Sequence, residues 1–188
     1  MNPGRLMRVN WLRFAQALPP SVLPGLSDEP DLTYDQRLER VLAYRPLYFS
    51  GFQREMTARG YEVIEILADV FPLQACWARE NGVRFVQTHW PTDILLAQIE
   101  KLRPELLYLQ AGPFALPVSL RRHLRRLFPF IRRVVVSQAM WGYYDDYDDI
   151  DLLLAGSPLL DEAARRQGVR SRLVYHGFDA SVLDVLAS

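Results

Sequence analysis

The sequence predicts an α/β fold: a Rossmann-like three-layer sandwich with a mostly parallel sheet of about six strands. Three observations predict it. Short apolar runs rich in β-branched residues alternate with segments of helical period, the joints between them are short, and proline starts and glycine stops punctuate the helices. Such alternation builds parallel strands joined by crossover helices.

The elements follow in order. Leu6 to Phe14 mixes apolar and polar positions at period two from Met7 to Trp11 and reads as the first strand. Pro19 to Pro30, with four prolines and a glycine, reads as a loop. Thr33 and Gln36 have the spacing of a capping box, and Leu38, Val41 and Leu42 then recur at helical spacing. Pro46 marks the join to a second helix that carries Phe49, Phe52 and Met56 on one side and stops at Gly60. Tyr61 to Ala68, "YEVIEILA", is the second strand, apolar enough to be buried on much of both faces. "FPLQACWARENG" gives a short helix ending at Gly82, and "PTDILLAQIEKLRP" a longer one with Leu95, Ile99 and Leu102 on one stripe. "ELLYLQ" is strand three. Pro117 starts a helix predicted to turn Leu120, Leu124 and Leu127 inward and its arginines outward. "RRVVVSQ" is strand four and "IDLLLAG" strand five. Ser157-Pro158 then places an N-cap beside a proline at the first helical position, and the helix ends at Gly168. "SRLVYHG" is strand six. No internal repeat and no low-complexity linker interrupts the series, so residues 1–188 read as a single Rossmann-like domain.

Composition narrows the function classes. A chain of this length buries roughly two-thirds of its unfolded surface without staples. The 22 basic and 22 acidic residues cancel, so no global field steers the protein to nucleic acid or an anionic membrane. Cys76 is the single cysteine, which excludes an internal disulfide and a multi-cysteine metal site and agrees with a cytoplasmic location. No run approaches the roughly 18 apolar residues of a membrane span.

Ligands of open parallel sheets collect at the carboxyl ends of the strands, beside the point where strand order reverses. The polar residues at predicted strand ends are Gln16, Asp69, Gln110, Ser137, Gln138, Ser157, His176 and Asp179. Each also reads as a turn former or helix cap. His89 in "QTHW" stands just ahead of a helix and, as an imidazole, the side chain most often used for proton transfer, is the candidate general base; it too reads as a surface or capping residue. No GxGxxG follows the first strand, and GxxxxGK[ST], GxSxG and HExxH do not occur, which removes the dinucleotide, P-loop, α/β-hydrolase and zincin signatures. "RRHLRRLFPFIRR" packs six arginines and His123 into one stretch, a phosphate or nucleic-acid patch or else a solvated helix face. "YYDDYDDID" holds five aspartates and three tyrosines, a hard-cation site or else a solvated loop facing the arginines. The expectation is no bound metal and no nucleic acid.

The succession "YFSGFQREMTARGYEVIEILADVFPLQACWARENG", "DILLAQIEKLRPELLYLQ" and "DIDLLLAGSPLLDEAARRQGVRSRLVYHGFDASVL" resembles the N-terminal half of GT-B glycosyltransferases, especially bacterial proteins similar to spore-maturation glycosyltransferase-like proteins. It runs from about Tyr48 to Leu183. "ARGYEV" looks like the family's entry to strand two, with Tyr61 where histidine is common; "KLRPELLYLQ" looks like its "xxxPDVVxxQ" phrase, with Glu105 for aspartate; "YHGFD" looks like the "xxxGVD" turn that ends its first domain.

The resemblance implies an acceptor-binding N-terminal domain that faces a C-terminal donor-binding domain across a cleft, and transfer of a sugar from a nucleotide sugar to an acceptor hydroxyl. It implies no cofactor bound by this domain, with the nucleotide sugar as co-substrate held by the missing second domain. The chain alone is then expected to be inactive. His89 is the candidate catalytic base, since Phe14-Ala15-Gln16 offers no carboxylate or histidine, and Gln16, Gln110, Gln138, Ser157, His176 and Asp179 are the candidate acceptor or cleft residues. The alternative is a stand-alone Rossmann-like binding or scaffold module without catalysis.

Overall fold

A computed structural model describes residues 4–11, 31–43, 49–110, 116–139, 147 and 149–175. Six strands, β1 (Arg5–Asn10), β2 (Glu62–Leu67), β3 (Leu106–Gln110), β4 (Arg133–Gln138), β5 (Leu152–Ala155) and β6 (Ser171–Leu173), form one sheet in the order β2-β1-β3-β4-β5-β6. Every pairing is parallel. Helices α1 (Tyr34–Ala43) and α2 (Phe49–Ala58) connect β1 to β2, and α3 (Phe71–Glu80) and α4 (Trp90–Leu102) connect β2 to β3. The short α5 (Val118–Arg121) and α6 (Leu124–Leu127) precede β4, and α7 (Pro158–Arg166) joins β5 to β6.

The local signals act as the sequence suggests. Thr33 and Gln36 close a reciprocal box: the Thr33 amide donates to Gln36 Oε1 at 3.0 Å and the Gln36 amide to Thr33 Oγ1 at 3.3 Å. Ser157 Oγ accepts from the Leu160 amide at 3.4 Å, capping α7. Gly60 ends α2 with φ at +87°, a left-handed conformation that a side chain would resist. No helix among the described residues is long and apolar enough to cross a membrane.

The pleat sorts side chains between two faces. On one, Met7 and Val9 of β1 lie with Ile66, Leu107, Leu109, Val134, Val136, Leu153 and Ala155, and α4, α6 and α7 cover them with Leu95, Ile99, Leu124, Leu160 and Ala164. Each fully buried aliphatic chain there stabilises the fold by about 1.5–3 kcal/mol. A second cluster joins Tyr34 and Val41 of α1 to Leu67, Leu73, Trp77 and Ile94. The opposite face of β1, β2 and β3 carries Arg8, Glu65 and Tyr108, which the register aligns side by side.

Three expectations are corrected. β1 ends at Asn10, level with the end of β2 at Leu67, and Leu12 to Phe14 lie outside the described residues, as does Pro46. β6 spans only three residues, and Val174 and Tyr175 beyond it are exposed. The helix after Pro117 splits at Arg122-His123 into two single turns, which shifts its phase: Leu127 turns outward at 50 % exposure, and Arg121 is buried. An internal partner, described below, draws Arg121 inward.

Candidate site at the carboxyl edge of the sheet

From β1 the chain steps one way to β2 and then passes back over β1 to β3, so the order reverses between β1 and β3. The crevice above the carboxyl ends of these two strands is where doubly wound sheets bind ligands. A polar cluster lies beneath it. Arg8 Nε donates to Gln110 Oε1 at 2.6 Å, and Arg8 Nη1 donates to Glu65 Oε1 at 3.2 Å. Asn10 Nδ2 donates to Glu65 Oε2 at 2.8 Å and to the Ile66 carbonyl at 3.4 Å. The Arg8 guanidinium lies 4.3 Å from the centre of the Phe52 ring, which in turn stands 5.3 Å from Tyr108.

Burial sets the character of this cluster. The Arg8 and Glu65 side chains are 3 % and 2 % exposed, so each charge depends on the other. Burial pushes the Glu65 carboxyl above the usual carboxylate range, while Arg8 and the Asn10 amide pull it back in part. Asn10 Oδ1 is buried without a hydrogen-bond partner, a condition that costs about 1–3 kcal/mol when nothing completes it. Of the predicted cleft residues, Gln110 belongs to this cluster. Arg8, Asn10 and Glu65 were missed, because candidates come from strand ends and these three fall inside the predicted first and second strands. The signal that identifies them is a charge embedded in the apolar run "VIEIL", a position that cannot stay unpaired in a sheet covered on both faces.

The other described candidates are distributed along the same edge. His89 is the exposed N-cap residue of α4, and its Nδ1 lies 3.1 Å from Thr88 Oγ1. Because α4 leads into the start of β3, its first turn stands on the carboxyl side of the sheet. Phe71 adjoins it in edge contacts with Trp90 at 5.0 Å and Phe85 at 6.2 Å, and Asp93 pins the loop by accepting from the Val86 amide at 2.9 Å. Gln138 falls on the face opposite Gln110, paired in register with Ala155, and accepts from Tyr147 Oη at 3.2 Å. Ser137 pairs in register with Gln110 instead. Ser157 serves as the α7 cap. Asp69 follows the end of β2 and is half-buried. Gln16, His176 and Asp179 lie outside the described residues.

The arginine-rich and aspartate-rich stretches meet each other. Arg121 grips Asp149 with two bonds, Nε to Oδ2 at 2.7 Å and Nη2 to Oδ1 at 3.2 Å, both side chains being buried. Asp151 accepts from the Val134 amide at 2.6 Å and pairs with Arg125 and, at 3.7 Å, with Arg133. Arg132 reaches Glu105 at 3.4 Å. These contacts fix the segment before β5 to the α5–α6 turns and neutralise much of the positive charge. Among the described residues, no group of three or more His, Cys, Asp or Glu could hold a metal ion. Asp145, Asp146 and Asp148 are outside them. Burial raises the Cys76 thiol above its usual range, so it is a poor nucleophile.

Fold and edge together define a doubly wound parallel α/β protein with a polar cluster at its strand-order reversal. No family model, no curated protein and no solved structure matches the chain.

Proposed function

We propose that the chain is the acceptor-binding domain of a two-domain, cytoplasmic, bacterial glycosyltransferase of the GT-B kind, which moves a sugar from a nucleotide sugar to an acceptor hydroxyl. The observation that carries this reading is the polar cluster of Arg8, Asn10, Glu65 and Gln110 at the β1–β3 reversal of an otherwise apolar sheet. The acceptor rests over this edge, and a separate C-terminal domain holds the nucleotide sugar and the leaving diphosphate. His89, exposed on the same side, takes the acceptor proton as general base. The order of sequence phrases that resembles the acceptor half of such enzymes adds support.

A second reading, a binding or scaffold module without catalysis, draws on the internal pairing of the cluster, since Arg8 and Glu65 satisfy one another without a ligand. A transfer assay separates the two. The 188 residues and any longer product of the same gene are compared over a panel of nucleotide sugars and acceptors. The transferase reading expects activity only in the longer product, with His89→Ala lowering it by about 10²–10⁴-fold at unchanged melting temperature. Transfer by the 188 residues alone contradicts the two-domain assignment, and inactivity of every product favours the module.

A further inference from the structure

The ligand class that suits the β1–β3 crevice follows from which hydrogen-bonding atoms remain uncommitted there. Asn10 has its amide nitrogen fixed by Glu65 and the Ile66 carbonyl, so the side chain cannot turn over, and its Oδ1 is left as a buried acceptor with no partner. Gln110 stands beside it: Val9 pairs in register with Leu109, which makes Asn10 and Gln110 neighbours at the ends of adjacent strands. Arg8 engages Oε1 of Gln110, so the half-buried amide presents its Nε2 as the donor. Adjacent strands run about 5 Å apart. One acceptor, closed to solvent, and one donor therefore stand at the ends of neighbouring strands at this edge.

Charge excludes an anion as the natural occupant. The Arg8 guanidinium is bound to Glu65 and Gln110 and stacked on Phe52, and the Glu65 carboxylate cancels its charge. A phosphate placed here meets a buried carboxylate and no net positive field. A hydroxyl, by contrast, donates to Asn10 Oδ1 while a neighbouring hydroxyl accepts from Gln110 Nε2. On the same face the Phe52 ring, packed against Arg8, and the Tyr108 ring it contacts add apolar surface that suits the C–H face of a saturated ring.

We propose that the β1–β3 crevice is a subsite for a neutral polyhydroxylated ring, with Asn10 Oδ1 accepting from one hydroxyl and Gln110 Nε2 donating to its neighbour. The inference rests on the reading of this edge as the acceptor side and not on sugar transfer itself. The test follows the side-chain amide signals of Asn10 and Gln110 by nuclear magnetic resonance in the 188-residue protein. The probes are methyl glucoside, myo-inositol, the permethylated methyl glucoside and inorganic phosphate.

At least one of the two polyols is expected to shift both amides saturably. Loss of the donors in the permethylated glucoside, or of the acceptor in Asn10→Leu, weakens binding by about tenfold, the effect of one hydrogen bond. If Asn10→Leu does not fold, the comparison of hydroxyl with ether still decides, because it leaves the protein unchanged. Tighter binding of phosphate than of either polyol overturns the proposal, as does equal binding of the ether. A lack of saturable shift with both polyols, with only an ordered water at Asn10 Oδ1, overturns it too. Polyol binding without transfer by any longer product would sink the transferase reading and leave the subsite standing; transfer without a response at Asn10 would do the reverse.

Discussion

At the scale of single residues, the Arg8–Glu65 pair decides how the sheet tolerates polarity in its interior. Two charges with almost no solvent contact are stable only together. Glu65→Leu is expected to destabilise the protein by about 3–5 kcal/mol because it leaves the buried Arg8 guanidinium and Asn10 amide without the acceptor they bond to. The double change Arg8→Met with Glu65→Leu is expected to recover most of that loss, as measured by urea unfolding of the two single variants and the double. Additive losses would mean that the residues do not act as a pair. The pH dependence has a defined sign. Burial raises the Glu65 carboxyl in the folded state, so the native protein holds this proton to higher pH than the unfolded chain. The group's contribution therefore favours folding at low pH and is lost as pH rises through the folded value. Stability relative to Glu65→Gln should fall as pH rises from the ordinary carboxylate range, and an opposite slope would show that Arg8 outweighs burial.

At the scale of elements, the sequence was informative wherever the signal was local. The box at Thr33 and Gln36, the cap at Ser157 and the stop at Gly60 depend on residues within four positions of one another, and each appears as read. The apolar run of β2 was likewise enough to place it. The stretch after Pro117 was not, because the split at Arg122-His123 resets the helical phase and the partner that buries Arg121 is Asp149, 28 residues away. Nothing in the spacing of leucines and arginines encodes that contact. Asp149→Asn should therefore cost about 3–5 kcal/mol by thermal or urea unfolding, since it leaves Arg121 buried without its counter-charge. Arg126→Ala, an exposed change on the next turn, should stay within about 0.5 kcal/mol. Similar costs at the two positions would mean that the Arg121–Asp149 pair does not anchor the segment before β5. Gly156 marks another element-scale constraint: a Cβ there would stand 2.8 Å from the Ala139 Cα, so the ends of β4 and β5 approach too closely for a side chain.

At the scale of the whole molecule, the six parallel strands of the described residues reverse their order once, between β1 and β3. The alternation of strands and helices in the sequence was enough to predict this sheet, because each crossover requires a helix-length segment between parallel strands. The site was only partly legible. Gln110 was identified from its place at a strand end, whereas Arg8, Asn10 and Glu65 gather from strands 55 or 57 residues apart and share a face only through the register of β1 against β2. Gln138, one of the predicted cleft residues, lies on the other face for the same reason, a pleat that a list of strand ends does not resolve. The pairing of arginines with Asp149 and Asp151 also reduces the case for a nucleic-acid surface on the α5–α6 turns. The central claim is that ligands meet the protein at the carboxyl ends of β1 and β3. It is tested most directly by mapping backbone amide shifts over the 188 residues against methyl glucoside, a nucleoside diphosphate and a polynucleotide in turn. The account predicts that the glucoside moves amides around Asn10 and Gln110, and that the polynucleotide leaves those around Arg122 and Arg126 unchanged. Responses confined to the opposite edge, around Gly4 and Glu105, or a saturable polynucleotide response on the arginine turns, would contradict it.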